Sequence, residues 1–139
     1  MGVVKPRASA GYSGRSLVQK LGVKPETTIV LVDAPDAIEQ LLEPLPDGVT
    51  VRRGNRGRRE MTIWFATSRG KLERRFDPVA RAVGEGTLWM AWPKGSSGLE
   101  TDITEDVIRE VVLPRGMVDS KVCAIDETWS GLRLTRRRA

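Results

Sequence analysis

Side chains that can hold an anion follow three apolar runs of this sequence. The clearest case is Trp92-Pro93-Lys94, where an apolar run stops and a Gly-Ser-Ser-Gly loop begins. Lysine and arginine supply charged donors to an anion, and serine hydroxyls and loop amides supply neutral ones. The candidate ligand-binding residues are Asp33, Asp36, Ser68, Arg69, Trp92, Lys94, Ser96 and Ser97.

The residue types that are missing exclude several chemistries. The chain has no histidine and a single cysteine, Cys123. Histidine-dependent triads, histidine metal sites, and zinc or iron–sulfur centres built on cysteines are therefore unavailable within it. The sequence predicts no metal and no cofactor, and it favours a non-catalytic protein over an enzyme. One cysteine also predicts a reducing, cytoplasmic compartment, and no apolar stretch is long enough to predict a membrane helix.

Five arginines are concentrated in one short segment, and the net charge of the chain is +5. They are Arg52, Arg53, Arg56, Arg58 and Arg59, and the tail at 136–138 adds three more. Such a cluster could bind phosphates of a nucleic acid. No aromatic residue is interleaved within it for stacking on bases, so a solvated basic loop is the preferred interpretation.

Alternating strand and helix patterns must position these residues. Apolar runs at 28–33, 61–68 and 86–92 predict strands buried on both faces, as in a parallel sheet. Helical patterns lie between them, and two strands joined near Glu127 predict a hairpin at the C-terminal end. In the helix at 71–84, Asp77 and Pro78 predict a kink or a break. The fold class is thus α/β: a three-layer, Rossmann-like open sheet, mainly parallel, with a C-terminal antiparallel hairpin.

The domain organisation follows from length and composition. Residues 1–10 are small and polar and predict a flexible N-terminal segment, and residues 11–139 predict a single Rossmann-like domain.

The topology predicts where a ligand would lie. In open α/β sheets, ligands bind beyond the carboxyl ends of the strands. Lys94 would then point over a crevice shared with Asp33 and Arg69, and an anion would be held by Lys94 and Arg69. The alternative, which is favoured for loops of this composition, is that Gly-Ser-Ser-Gly is only a flexible connector.

Three segments carry a resemblance to a known family: "GYSGRSLVQKLGVKP", "LWMAWPKGSSG" and "GMVDSKVCAIDETWSGLRL". From Gly11 onward the chain resembles a family of small bacterial proteins named domain of unknown function 3052. This resemblance implies the fold and carries no site residues.

The order of elements also resembles, more distantly, a truncated class I S-adenosylmethionine (SAM)-dependent methyltransferase. Those enzymes have a glycine-rich turn after the first strand, whereas this chain has Asp33-Ala34-Pro35-Asp36. Close backbone approach to a cofactor depends on glycine, so this turn argues against SAM as the ligand.

Three hypotheses remain open at this point. The first is a non-catalytic, Rossmann-like module that binds a small anionic ligand or a protein partner. The second is a diverged methyltransferase-like enzyme that uses Lys94 or Asp33 with an unidentified cofactor. The third is nucleic-acid binding through the arginine-rich segment 52–59.

Overall fold

The computed structural model describes residues 16–138 and contains within them four α-helices, six strands and two single-turn 3-10 helices, Gly95–Ser97 and Leu113–Arg115. The predicted flexible segment at 1–10 lies outside the described residues. In chain order the elements are α1 (Leu17–Leu21), β1 (Thr28–Val32), α2 (Ile38–Leu41), β2 (Thr50–Arg53), β3 (Met61–Phe65), α3 (Arg69–Val83), β4 (Thr87–Pro93), α4 (Glu105–Val112), β5 (Met117–Ala124) and β6 (Trp129–Arg136). No helix among these is long and apolar enough to cross a membrane.

The strands form one six-stranded sheet in the order β2-β1-β3-β4-β6-β5. The first four are mutually parallel, β6 runs antiparallel to β4, and β5 runs antiparallel to β6. The predicted fold class is confirmed. Because β2 lies on one side of β1 and β3 on the other, the direction of winding reverses between β1 and β3. This reversal is the topological switch point of the sheet.

Helices cover both faces of the sheet, and each face has its own apolar core. Val30 and Val32 of β1 pack with α3 and α4, whereas Ile29 and Leu31 pack with α1 and α2. Successive strand residues point to opposite faces, so a strand buried on both sides is apolar at nearly every position. This explains why β1, β3 and β4 are largely apolar, although β3 also contains the buried Thr62.

Helix α3 differs from the predicted kinked or split helix. Asp77 and Pro78 lie inside a continuous helix from Arg69 to Val83. Both residues are exposed, while Phe76 and Val79 beside them are buried against the sheet. Packing of the apolar face therefore outweighs the loss of one backbone donor at Pro78, which is a case of tertiary context overriding local propensity.

The C-terminal hairpin is confirmed, and its outer strand β5 is irregular. The pairing between β5 and β6 shifts register between Asp119 and Lys121, as at a β-bulge. Cys123 on β5 is half-buried, and its burial raises the pKa of the thiol. Val118 and Val122 of the same strand are exposed.

Candidate functional site

A cavity of about 170 Å³ lies at the carboxyl edge of the sheet. It is formed where β1 and β3 end, which is the switch point described above. Residues from the end of each strand, from the first turn of α3 and from the start of β6 line it: Asp33, Trp64, Phe65, Ala66, Thr67, Ser68, Lys71 and Trp129. We refer to it as the carboxyl-edge cavity.

Aromatic side chains form the apolar part of the carboxyl-edge cavity. Trp129 opens β6, and because β6 is antiparallel to β4 this residue pairs with Pro93 at the carboxyl edge. Its ring meets that of Phe65 edge to face, with centroids 5.0 Å apart. Edge-to-face pairs of this kind fix ring orientation. The antiparallel hairpin thus contributes an aromatic wall to a site built mainly by parallel strands.

Asp33 is the charged residue that ends β1. Its backbone has φ of 56°, in the left-handed region. Its carboxylate accepts a hydrogen bond from the guanidinium of Arg75 on α3, and that guanidinium also lies 6.0 Å from the centre of the Trp64 ring. The Arg75 charge therefore offsets the Asp33 charge, and the aspartate does not make the cavity acidic.

The turn after β1 contains left-handed backbone although it lacks glycine. Ala37 has φ of 72°, a conformation that costs a residue with a Cβ about 1–3 kcal/mol. Arg53 at the end of β2 supports the turn by donating to the carbonyl oxygens of Ala34 and Pro35. Arg53 also pairs with Glu39 at 2.7 Å, and this hydrogen bond lowers the pKa of Glu39 to about 2.

The amino end of α3 is occupied by the chain's own polar groups. The Ser68 hydroxyl accepts from the Lys71 amide at 3.2 Å, and an Asp102 carboxylate oxygen accepts from the Arg69 amide at 2.7 Å. The Thr101 hydroxyl donates to the carbonyl oxygen of Thr67 at 2.7 Å. Amides at a helix start are the usual donors to a bound anion, and here two of them already have partners.

Of the eight predicted ligand-binding residues, Asp33 and Ser68 line the carboxyl-edge cavity. The remaining six lie outside its lining: Asp36, Arg69, Trp92, Lys94, Ser96 and Ser97. Trp92 is buried in the core, and the Ser97 hydroxyl accepts from the Leu99 amide. The crevice shared by Lys94, Asp33 and Arg69 therefore remains a prediction.

Arg69 has partners that the sequence pattern did not indicate. Its guanidinium donates to Glu73 on the same helix and to Glu110 on α4, at 3.0 and 2.9 Å. These hydrogen bonds raise the pKa of Arg69. Arg69 thus links two helices, and its predicted role in ligand binding remains a prediction.

Lys71 and Thr67 line the cavity but were missed by reasoning from sequence. A strand end followed by Ala-Thr-Ser-Arg-Gly-Lys would have indicated both, because the first turn of a helix after a parallel strand faces the carboxyl edge. The sequence placed Trp129 at a strand end, but its place in the cavity depends on the pairing of β6 with β4.

The arginine-rich segment is not uniformly a solvated loop. Arg52, Arg53, Arg56 and Arg58 are exposed, as predicted, whereas Arg59 is buried. In the tail, Arg136 donates to the carbonyl oxygens of Ala80 and Gly84 at the end of α3. Arg136 therefore serves the end of a helix, where a cation is favoured.

The carboxyl-edge cavity offers binding groups rather than a recognisable catalytic set. Among residues 16–138 no cluster of carboxylates or thiols could hold a metal ion. The Ser68 hydroxyl caps α3 by accepting a hydrogen bond from the Lys71 amide. Binding of a small molecule is the chemistry that these groups support directly.

Comparison with known proteins identifies the fold and nothing finer. No family model matches the chain, and a sequence comparison with characterised proteins finds no relative. Solved structures do match. A SAM dependent methyltransferase from Aquifex aeolicus superposes with a TM-score of 0.63 at 9% identity, covering 86% of this chain and 87% of that one. The chain has a methyltransferase-like fold. The resemblance to domain of unknown function 3052 remains a prediction.

Two other solved structures also match the fold of this chain. Magnesium protoporphyrin IX methyltransferase from Synechocystis PCC 6803, solved with bound SAM, has a TM-score of 0.54 at 11% identity over 88% of this chain and 74% of that one. A protein of the NADB-Rossmann superfamily from Streptococcus agalactiae has a TM-score of 0.53 at 9% identity, over 94% and 72%.

The residues at the carboxyl edge do not fit a whole SAM molecule. The cavity of about 170 Å³ is smaller than the ~300–1,000 Å³ of sites that enclose drug-sized ligands. Rossmann folds carry an acidic residue for a ribose hydroxyl about 20 residues after the first strand. This chain has Arg53 there, and its guanidinium donates to the carbonyl oxygens of Ala34 and Pro35 in the turn. The turn itself presents Cβ atoms where glycine would permit close approach.

Proposed function

We propose that this protein is a diverged, methyltransferase-like protein that binds a small anionic ligand in the carboxyl-edge cavity. The observation that carries the proposal is the coincidence of the cavity with the switch point between β1 and β3, where open α/β sheets bind their ligands. Strained left-handed backbone at Asp33 and Ala37 supports it, because such strain clusters at functional sites.

The charges that line the cavity support an anionic ligand. The Asp33 charge is offset by Arg75, while the Lys71 side chain has no carboxylate partner within residues 16–138. Lys71 is exposed at the rim, beside the hydroxyl groups of Thr67 and Ser68. A small carboxylate with an apolar body would place its charge at Lys71 and its body against the aromatic wall formed by Phe65 and Trp129.

A second candidate is SAM-dependent group transfer, which is favoured by the fold and by a structural neighbour that holds SAM. It requires the turn after β1 to move away from Arg53. We expect no binding of SAM or S-adenosylhomocysteine at concentrations that saturate methyltransferases.

A ligand screen on the intact protein tests the proposal. Small mono- and dicarboxylates, SAM and S-adenosylhomocysteine are compared by thermal shift, because a ligand that binds only the native state raises the melting temperature. Lys71→Ala should weaken a carboxylate hit by about tenfold or more, the loss of one charged hydrogen bond. Arg74→Ala, an exposed cation on the same helix outside the cavity lining, is the matched control. A carboxylate hit that binds equally well to both variants would remove the cavity as the site, and a shift by SAM alone would favour the second candidate.

A further inference from the structure

A second cavity, of about 640 Å³, opens at the opposite, amino edge of the sheet. Its volume falls within the ~300–1,000 Å³ typical of small-molecule sites. The end of α1, the starts of β3 and β4, and β6 line it, and its charged residues are Lys24, Arg58, Arg59, Glu60, Glu85 and Arg133. Four cations and two carboxylates give it a net charge of +2. We refer to it as the amino-edge cavity.

Arg59 is the residue that makes this cavity unusual. Its side chain is 7% exposed, and it is the one charged residue classed as buried within residues 16–138. Its polar partners are all neutral: the carbonyl oxygen of Gly57 at 2.9 Å, the amide oxygen of Asn55 at 2.9 Å and the hydroxyl of Thr62 at 3.5 Å. The Nη2 atom is buried and has no hydrogen-bond partner.

The charge of Arg59 is not compensated by any described part of the protein. No carboxylate of residues 16–138 lies within ion-pair distance of it, and burial together with the nearby Arg52 charge lowers its pKa. Residues 1–15 contain Lys5, Arg7 and Arg15 and no acidic side chain, so their side chains cannot supply the missing charge. A water molecule could accept from Nη2 but would leave the charge unpaired. Buried charges are normally paired, because desolvating an isolated ion costs several kcal/mol.

The loop that presents Arg59 is held in shape by another arginine. The Arg52 guanidinium donates to the carbonyl oxygens of Arg56 and Arg58, at 3.3 and 2.9 Å. Gly57 has φ of 90°, and a Cβ there would lie 2.5 Å from that guanidinium. The backbone of the loop and the Arg59 side chain are therefore held in place before any ligand arrives, which reduces the entropic cost of binding.

We infer that the amino-edge cavity binds a small phosphate-bearing molecule, with Arg59 and Arg58 as its anion-binding residues. A guanidinium presents donors in a planar fork that matches the oxygens of a phosphate. A concave site suits a small molecule better than a duplex, and no aromatic residue lines it for stacking on a base. This site is separate from the carboxyl-edge cavity and does not depend on the function proposed for it.

Inorganic phosphate is the probe for the first test. Calorimetry and thermal shift on the full chain compare sodium phosphate with sodium chloride at equal ionic strength. The wild-type protein should be stabilised by phosphate specifically. Arg59→Met, which keeps the apolar part of the side chain and removes the charge, should weaken phosphate binding at least about tenfold, or 1.4 kcal/mol. Arg56→Met, in the same loop but outside the cavity lining, should bind as the wild type does.

If Arg59→Met does not fold, Arg58→Ala tests the site independently, because Arg58 is exposed and lines the cavity. It should weaken phosphate binding several-fold and leave the melting temperature without phosphate unchanged. Equal stabilisation by phosphate and chloride, or unchanged phosphate affinity in Arg58→Ala, would overturn the site. Binding of single-stranded RNA is measured by gel shift in the same variants. If Arg56→Met and Arg58→Ala weaken RNA binding equally, the small-molecule site would be replaced by a nucleic-acid surface.

Discussion

The arginines of the carboxyl edge and Arg59 at the amino edge differ in how their charges are compensated. At the carboxyl edge the arginines are paired: Arg75 with Asp33, Arg53 with Glu39, and Arg69 with Glu73 and Glu110. At the amino edge Arg59 is buried without a counter-charge beside a cavity of about 640 Å³, nearly four times the volume of about 170 Å³ at the carboxyl edge. The general rule for open α/β sheets predicts a ligand site at the carboxyl edge. The uncompensated charge of Arg59 indicates an anion site at the amino edge.

This difference shows that fold and electrostatics are separate sources of evidence about a site. The fold identifies a position where related architectures bind ligands, but it does not determine which side chains are still free to do so. Charge pairing answers that second question residue by residue. In this protein internal ion pairs hold the arginines beside the carboxyl-edge cavity, and the uncompensated charge of Arg59 lies at the other end of the strands.

The largest effect that distinguishes the two edges should come from glycine substitutions. A Cβ added to Gly86, at the amino edge, would lie 2.7 Å from the Glu60 carbonyl oxygen and 3.2 Å from that of Val83. Gly86→Ala should lower the free energy of unfolding by about 1–3 kcal/mol, because backbone must shift to accommodate it. Urea denaturation monitored by tryptophan fluorescence measures the change.

The matched substitution at the carboxyl edge is Gly95→Ala, where a new Cβ meets nothing within 4 Å. We expect a change within about 0.5 kcal/mol. Equal losses for the two variants would mean that the amino edge is no more tightly packed than the Gly-Ser-Ser-Gly loop.

The acid dependence of the unfolding free energy should also differ between the two edges, by a smaller amount than the glycine substitutions. Glu39 has its pKa lowered to about 2 from 4.5 through Arg53, so it contributes stability above pH 4.5 that is lost as pH falls towards 2. Because the Glu39 and Arg53 side chains are 44% and 40% exposed, solvent screening limits this contribution to about 1 kcal/mol or less. Unfolding free energies measured between pH 5 and 2 should fall less steeply in Glu39→Gln.

Glu85→Gln is the amino-edge control for this titration, because Glu85 is exposed and forms no salt bridge in the described part of the chain. Its acid profile should follow that of the wild type. A flattening as large as that of Glu39→Gln would contradict the assignment of the acid response to the Arg53–Glu39 pair.

The smallest effect concerns Lys94 at the carboxyl edge. Its backbone amide donates to the Thr128 carbonyl oxygen, which alanine preserves, so Lys94→Ala should change stability by less than about 0.5 kcal/mol. If the loop is a connector, the affinity for a carboxylate ligand should also stay the same, and it should fall in Lys71→Ala. A larger loss of affinity in Lys94→Ala than in Lys71→Ala would instead support the crevice shared by Lys94, Asp33 and Arg69.

The central strands were accessible from sequence because burial on both faces leaves a largely apolar run, whereas their order in the sheet was not predicted. Gly22 ends α1 with φ of 82°, as a C-cap glycine does. The continuity of α3 was not predicted, because the exposure of Asp77 and Pro78 is decided by how the helix lies on the sheet rather than by local preference.

The residues of the candidate sites were only partly predictable from the sequence, because tertiary packing decides which of them come together. Asp33 and Ser68 follow strands directly, so chain position alone places them at the carboxyl edge. The burial of Arg59 was not predictable, since it depends on Asn55 and Thr62, which approach it through the return of the loop into β3. The left-handed backbone of Asp33 and Ala37 was not predicted, because neither residue is a glycine.

The register shift in β5 bears on how copies of this protein behave at high concentration. β5 is the last strand of the sheet, and its outer side presents backbone groups that could pair with a strand of another molecule. Val122, 46% exposed, would add an apolar contribution to such pairing. The irregularity between Asp119 and Lys121 breaks the even spacing that a continuous intermolecular ladder needs, and the Lys121 charge beside it opposes close approach of a second copy. The bulge thus acts as a safeguard against edge-to-edge aggregation, and the exposed arginines of β2 give the opposite end of the sheet the same protection.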